Sequence, residues 1–507
     1  MLSRIPNHRT QGTRTGTRAI GPALANSSLV PPLIRCALVF ILTGCAVGPN
    51  YQRPGVNVPA AYRTTEPITP QQSSFADLPW WEAFKDPRLQ ELVKTALANN
   101  YDLQIAISRI EQSRQIAAQA RAQYFPFLNY GVTGSGGKNE FLGAVVPDTG
   151  EERSSFGAVA TASWEADVWG RIRRENEAAR AQYLASEEAR RGVMLSLVSD
   201  VAQAYFELLG LDLQLDIAKQ TTDSFSQTLT LFTQRLEGGV SSKLDTSRAA
   251  GAQATAAASI PEIERQIALK ENQISILLGE NPSPVPHSAK LLDQIVPPDI
   301  PAGLPSALLE RRPDILEAEQ QIRSANARVG VATANYFPRI GLTALFGRVS
   351  SPLSSLSSGQ ATVWSVAGNA AGPIFQGGAL KAQKRQSVAF WQETVLQYEQ
   401  TAQAAFQDVS DALVSRQKYE LIRDQEANAV RAYQDSVKVS LQRYTAGKAS
   451  YFEVLDAQLQ LYPAENALAL TELNRRTVIV QLYKALGGGW NLNDPAWAGP
   501  PSAPGTP

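Results

Sequence analysis

The chain contains one long unit twice, and that limits what it can fold into. Asp102, Ala106, Ile110, Ala120, Ala122, Tyr124, Phe125 and Pro126 recur at one constant spacing as Asp314, Ala318, Ile322, Ala332, Ala334, Tyr336, Phe337 and Pro338. Each copy is a polar, Ala-rich helical pattern that runs into Tyr-Phe-Pro and then changes period. After Pro338, Ile340, Leu342, Ala344 and Phe346 alternate with Gly341, Thr343 and Leu345. A helix therefore feeds directly into a strand. Further on, Gln234, Arg235, Gly239, Ser242 and Ala249 recur as Gln442, Arg443, Gly447, Ser450 and Ala457. Any account of function must explain the duplication.

The order within each copy is helix, strand, strand and long helical hairpin. In the first copy (83–279), strands are predicted at about 127–135 and 155–165, and a hairpin over 171–278. In the second (306–487), strands are predicted at about 339–347 and 361–371, and a hairpin over 379–486. Phe156, Ala158, Ala160, Ala162 and Trp164 form one face of a strand, against Gly157, Val159, Thr161, Ser163 and Glu165. That alternation fits a strand between lipid and an aqueous lumen. It fits a half-buried strand of a soluble sheet equally well. Between Arg171 and Glu237 there is no proline, and an apolar stripe through Met194, Leu197, Val198, Val201, Tyr205, Leu208 and Leu209 has helical spacing. At ~1.5 Å per residue such a rod spans about 100 Å, and a globular domain rarely needs one. Gly238-Gly239 breaks it, and a second helix returns, with Pro261 expected to kink it.

The ends and the joint read differently. Residues 1–44 resemble an export signal: Arg4, Arg9, Arg14, Arg18 and Arg35 with no acid, then the apolar run Ala37-Leu38-Val39-Phe40-Ile41-Leu42. Leu42-Thr43-Gly44-Cys45 resembles the bacterial lipobox, so Cys45 is the expected lipid-modified first residue of the mature chain. Ala46, rather than Asp, favours outer-membrane delivery. Residues 45–82 form an extended segment. The stretch 280–305 is a Pro-rich linker, in which His287 is expected to be exposed, and 488–507 is a Pro-rich tail.

Composition excludes several functions. Forty-seven basic residues balance forty-seven acidic ones, and five of the arginines fall in the first 44 residues. The remainder is net acidic, which speaks against nucleic-acid binding. Two cysteines and two histidines leave no disulfide framework and no cysteine/histidine metal site. No cofactor and no enzyme activity are expected, because no nucleophile–base pair can be drawn.

Four strands cannot close a barrel, and an open sheet edge is forbidden in lipid. If the strands span a membrane, several chains share one barrel. Two, three or four copies would give eight, twelve or sixteen strands. The helices would then continue the barrel as a tube.

The chain resembles the TolC-like outer membrane factor family, specifically its NodT-type efflux lipoproteins. The resemblance is carried by Cys45-Ala46-Val47-Gly48-Pro49-Asn50-Tyr51-Gln52-Arg53-Pro54, Pro79-Trp80-Trp81, Arg311-Arg312-Pro313-Asp314-Ile315 and Tyr336-Phe337-Pro338. Val454-Leu455-Asp456-Ala457-Gln458 and Leu482-Tyr483-Lys484-Ala485-Leu486-Gly487 continue it, in order. It implies a mainly α chain with membrane β: a homotrimeric 12-stranded β-barrel, four strands per chain, continuous with a long α-helical barrel. The implied function is passive export across the outer membrane and periplasm, with a periplasmic adaptor and an inner-membrane pump as partners and outer-membrane lipid around the barrel.

The resemblance also implies that the turns at 235–244 and 443–452 are periplasmic tips that meet the adaptor or close the resting pore. The candidate residues are Arg235, Glu237, Gly239, Asp245, Arg443, Tyr444, Gly447, Lys448, Glu453 and Asp456. The blander alternative for Arg235 and Arg443 is that they cap helix C-termini. Some relatives carry an acid just after the tip glycine. This chain has Lys448 and Ala449 there, so any acidic ring must come from Glu237, Asp245, Glu453 or Asp456. The rival reading is a non-conducting envelope lipoprotein with a coiled-coil spacer.

Overall fold

Gly170 and Gly378 both adopt left-handed backbone, with φ of 78° and 88°, and a 67-residue helix springs from each. The computed structural model describes residues 46–63, 78–138, 140–141, 144–145, 152–287, 289–294, 303 and 305–488. The expected export signal, Cys45 and the tail beyond 488 lie outside the described residues.

The helices are α1 (Trp80–Ala83), α2 (Pro87–Asn99), α3 (Tyr101–Ala122), α4 (Arg171–Glu237), α5 (Lys243–Leu277), α6 (Leu308–Arg311), α7 (Pro313–Ala334), α8 (Ala379–Thr445) and α9 (Tyr451–Ala485). The strands are β1 (Phe127–Lys138), β2 (Glu140–Phe141), β3 (Ala144–Val145), β4 (Glu152–Ala166), β5 (Arg339–Ser350) and β6 (Thr362–Ala371). The small β2–β3 ribbon falls in a Gly-rich stretch with no strand pattern of its own. Pro261 and Pro463 sit inside α5 and α9 without breaking either helix.

In each repeat the 22-residue helix stacks end to end on the 35-residue limb of the hairpin. Asn100 caps α3 by accepting from Leu103 N–H (3.0 Å), and its side-chain amide donates to the Leu277 carbonyl at the end of α5 (3.0 Å). In the second repeat Arg312 does the bridging, donating to the Ala485 carbonyl at 3.1 Å. The positive end of one helix meets the negative end of the other, which is the favourable arrangement. A glycine makes room at each joint. A Cβ added at Gly279 would stand 2.4 Å from the Asn99 carbonyl oxygen, and Gly487 lies against Arg311 and Arg312.

The stacked helices form columns beside the long ones. The α3/α5 column packs on α4, α4 on the α7/α9 column, and that column on α8. The sheet has the order β1-β4-β5-β6, all antiparallel. Each strand is the chain continuation of one column, since α3 runs into β1, β4 into α4, α7 into β5 and β6 into α8. Strand order and column order coincide, so one continuous wall is β at one end and α along the rest.

The core lies midway along α4, where α2, the linker and the end of α9 pack on Val198, Val201, Tyr205, Leu208 and Leu209. One window of α4 is apolar enough to cross a membrane, but 67% of it is buried inside the chain. Asp86 is the polar hub. One carboxylate oxygen caps α2 through Arg88 and Leu89 N–H, and the other accepts from Tyr205 Oη (3.0 Å) and Gln294 Nε2 (2.7 Å). His287 is not exposed as expected. Its ring is wedged between the Val285 carbonyl (2.6 Å) and Asp212 on α4 (2.5 Å), which ties the linker to the rod.

Candidate channel wall and periplasmic tips

The sheet resolves the two readings of the strand pattern. Leu128, Ala162, Ala344 and Val366 stand side by side across the four strands, and so do Tyr130, Ala160, Phe346 and Trp364. Nothing among the described residues covers this face. Tyr130 is 89% exposed, Leu128 79% and Trp364 73%. A bare apolar sheet face of this kind suits lipid. Asn129, Thr161 and Ser365, with Ser163 and Thr343, line the other face. Among the described residues, strands β1 and β6 are each paired on one side only.

Tryptophans mark the level where sheet becomes helix. Trp164 Nε1 donates to the Tyr124 carbonyl at 2.9 Å, and Trp169 Nε1 to the Pro338 carbonyl at 2.8 Å. Indoles with a wet N–H and an apolar body collect at membrane interfaces. The stretch that begins at Ala46 is sewn to the wall at this level. Val47 N–H donates to the Trp169 carbonyl (3.1 Å), and a Cβ on Gly170 would meet Ala46 Cα at 2.6 Å. Gly48 has φ of 98° and presses on Gly330 so closely that a Cβ would stand 2.5 Å from its Cα. Buried Arg174 donates to the Asn50 side chain (2.8 Å), and Asn326 to the Pro49 carbonyl (3.0 Å).

At the other end the two hairpin turns come together. Both close with the same backbone hydrogen-bond pair. Val240 N–H donates to Arg235 C=O (2.8 Å) and Gly239 N–H to Leu236 C=O (2.9 Å). Lys448 and Gly447 repeat this on Arg443 and Tyr444. This pattern needs positive φ, and Gly239 and Gly447 supply 75° and 70°.

The candidate tip residues have distinct roles. Arg235 does not reach into solvent alone; its guanidinium lies 4.6 Å over the Tyr444 ring of the other hairpin. Arg443 faces Glu453 at 3.6 Å and donates to the Lys448 carbonyl at 3.4 Å. Asp245 completes a capping box with Ser242 at the start of α5. Glu237, Lys448 and Asp456 are exposed. Sequence reasoning missed the apolar clasp beneath them. Phe232 of α4 sits 5.0 Å from Tyr444 and 4.1 Å from Tyr451, over Ala249 and Val454. Burial, and then the nearby Asp245 carboxylate, push the Tyr451 hydroxyl up to about 12. Phe232 could not be told from an ordinary stripe residue, because it follows Phe225 and Leu229 at helical spacing.

Among the described residues no cluster of His, Cys, Asp or Glu could hold a metal ion. The model of the family described as outer membrane efflux protein matches residues 92–280 and 304–488, one match per repeat. The probable efflux pump outer membrane protein TtgC of Pseudomonas putida is 37% identical over 89% of this chain and 94% of its own. The probable outer membrane lipoprotein SilC of Salmonella typhimurium is 34% identical over 90% of this chain and 98% of its own. Among solved structures, CusC superposes with a TM-score of 0.79 at 31% identity, covering 88% of this chain and all of that one. The open state of the MtrE outer membrane channel of Neisseria gonorrhoeae gives 0.79 at 31% identity, over 88% and 98%. Two family matches on two repeats, over nearly all the described residues, make this chain a member of the outer membrane efflux protein family.

Proposed function

We propose that three copies of this chain close into one tube that conducts solute out of the cell, as the outer membrane channel of a tripartite efflux system. The observation that carries this is the coincidence of strand order and column order, with both lateral edges left open among the described residues. Strand β1 with the α3/α5 column forms one edge, and β6 with α8 forms the other. Both edges carry exposed apolar side chains, Ile105, Ile116, Leu269 and Ile276 on one and Phe390, Leu396 and Leu421 on the other. In lipid the open strands must pair, and the partner that fits edge to edge is a second copy. Three copies give the twelve strands that the family resemblance implies. A spacer lipoprotein has no use for a bare lipid-facing sheet.

The tube conducts passively, so the driving energy comes from an inner-membrane pump, joined through a periplasmic adaptor. The tip turns are the surface the adaptor meets and the place where the resting pore closes. Exposed Val240, Leu244 and Phe452 beside Glu237 and Lys448 offer mixed apolar and charged contacts there. Cys45 carries the lipid. Its neighbour Ala46 is held against Gly170 at the strand–helix level, where an acyl chain needs no spacer to reach the bilayer.

Single-channel conductance of the detergent-extracted protein in a planar bilayer, measured beside its native mass, tests the reading. A trimer with small, flickering openings is expected. A monomer without conductance would overturn it in favour of the spacer.

A further inference from the structure

The Tyr-Phe-Pro corner occurs twice in the chain, but among the described residues only one copy is covered. At the second corner, Trp169 from the β4–α4 connection stacks on Phe337, with centroids 4.7 Å apart and planes 21° apart. At the first corner the equivalent Phe125 is 61% exposed and Phe127 52%. The element order gives the reason. β4 and α4 stand beside α7 and β5 in the same chain, so their connection reaches the second corner. α3 and β1 form the outermost column and strand, and no described element flanks them on the far side.

The opposite edge carries the matching excess. Between β6 and α8, Ile374 is fully exposed at 103% and Phe375 at 87%. The connection starts tight on its own corner, where a Cβ on Gly372 would stand 2.8 Å from Pro338 Cα. It then leaves the two apolar side chains bare. A bare aromatic corner on one edge and a bare apolar pair, one aliphatic and one aromatic, on the other lie at the same strand–helix level.

We infer that Ile374 and Phe375 of one chain seat on Phe125 of the next, as the between-chain counterpart of Trp169 on Phe337. The duplication then builds one kind of joint at every boundary of the tube, alternately within and between chains. Offset or edge-on aromatic packing of this type is directional as well as apolar. It would fix the axial register of neighbouring chains where the barrel meets the helices. The inference rests on the trimeric reading above.

The test is a double variant, Phe125→Cys with Phe375→Cys, treated with a short bis-maleimide. Cys36 and Cys45 are the only native thiols, so the two single variants serve as controls. A covalent ladder ending at trimer is expected in the double variant and absent from both singles. Trp169→Cys with Phe337→Cys, bridged within one chain by the same reagent, calibrates the reach. An intact trimer by native mass with no ladder would overturn the contact and leave the trimer standing. A monomer by native mass would remove the trimer reading and this contact with it. A second arm uses Phe375→Cys alone with a lipid-soluble maleimide. Protection relative to Val366→Cys is expected; equal labelling would mean that lipid, not a second chain, covers Phe375.

Discussion

The Phe232 ring of α4 lies 4.1 Å from the Tyr451 ring of α9, at a 53° interplanar angle, and so joins two hairpins that the sequence separates by one whole repeat. With Tyr444 and the Arg235 guanidinium above it, this contact is the apolar part of the tip that we propose closes the resting pore. The rest is the exposed Arg443–Glu453 pair, and exposed pairs contribute ~0–1 kcal/mol. Truncating a buried aromatic costs about 3–5 kcal/mol in a full core and less at a small cluster. Phe232→Ala should therefore raise single-channel conductance more than Arg443→Ala or Glu453→Gln does. The native mass should stay that of the trimer. Conductance in the order Arg443→Ala above Phe232→Ala would assign the closure to charge instead.

The tip should also respond to alkali. The Tyr451 hydroxyl is pushed up to about 12 by burial and by Asp245. A phenol whose folded value is raised is neutral in both states below about 10, and its contribution to closure is fully present there. Between about 10 and 12 the open form ionises first, so closure weakens as pH rises. Conductance should climb over that window, and Tyr451→Phe should flatten the climb. An unchanged profile in Tyr451→Phe would place the titrating group elsewhere.

The glycines separate backbone strain from crowding. Gly239 has positive φ and open space around it, so Gly239→Ala meets only the left-handed cost of about 1–2 kcal/mol. Gly279 has φ of 74° and also the Asn99 carbonyl where a Cβ would go. Gly279→Ala must part the end of α5 from the corner where α2 ends and α3 begins, and should lower the thermal midpoint and the trimer yield far more than Gly239→Ala. Equal losses would show that the end-to-end joint yields easily.

The duplication, the two rods and the alternating strands were legible because each is periodic over many residues, and period is what a sequence displays most directly. The tip turns were legible through paired glycines, since only a left-handed site asks for them so strictly. Other features depend on partners far away in sequence. The expected extended segment to residue 82 ends instead in the short helix Trp80–Ala83, and a second helix starts at Asp86-Pro87, where the aspartate caps and the proline takes the first turn. His287 looked like a solvent-facing residue of a Pro-rich loop because Asp212, its partner, lies on another element. The tip clasp was hidden for the same reason. Phe232, Tyr444 and Tyr451 each sit in an ordinary stripe, and only the fold brings the three together.

Lipid attachment and membrane insertion should prove separable at Cys45. The sheet presents its apolar face over all four strands, so insertion does not depend on an acyl chain. A single chain gives only reversible attachment in any case, and firm anchoring needs more than one. Ala46 and Val47 remain tied to Gly170 and Trp169 whether or not a lipid precedes them. Cys45→Ser should therefore abolish metabolic labelling with palmitate while the assembled protein still fractionates with the outer membrane and conducts. Arg174→Ala is the complementary change. It frees the Asn50 side chain and two backbone carbonyls that the guanidinium now holds, so it should loosen the N-terminal stretch with lipidation unchanged. Tryptic cleavage after Arg63, which is followed by threonine where Arg53 is followed by proline, would report that loosening. If Cys45→Ser instead leaves the chain in the periplasm as monomer, the lipid is needed for assembly, and the strands alone do not insert.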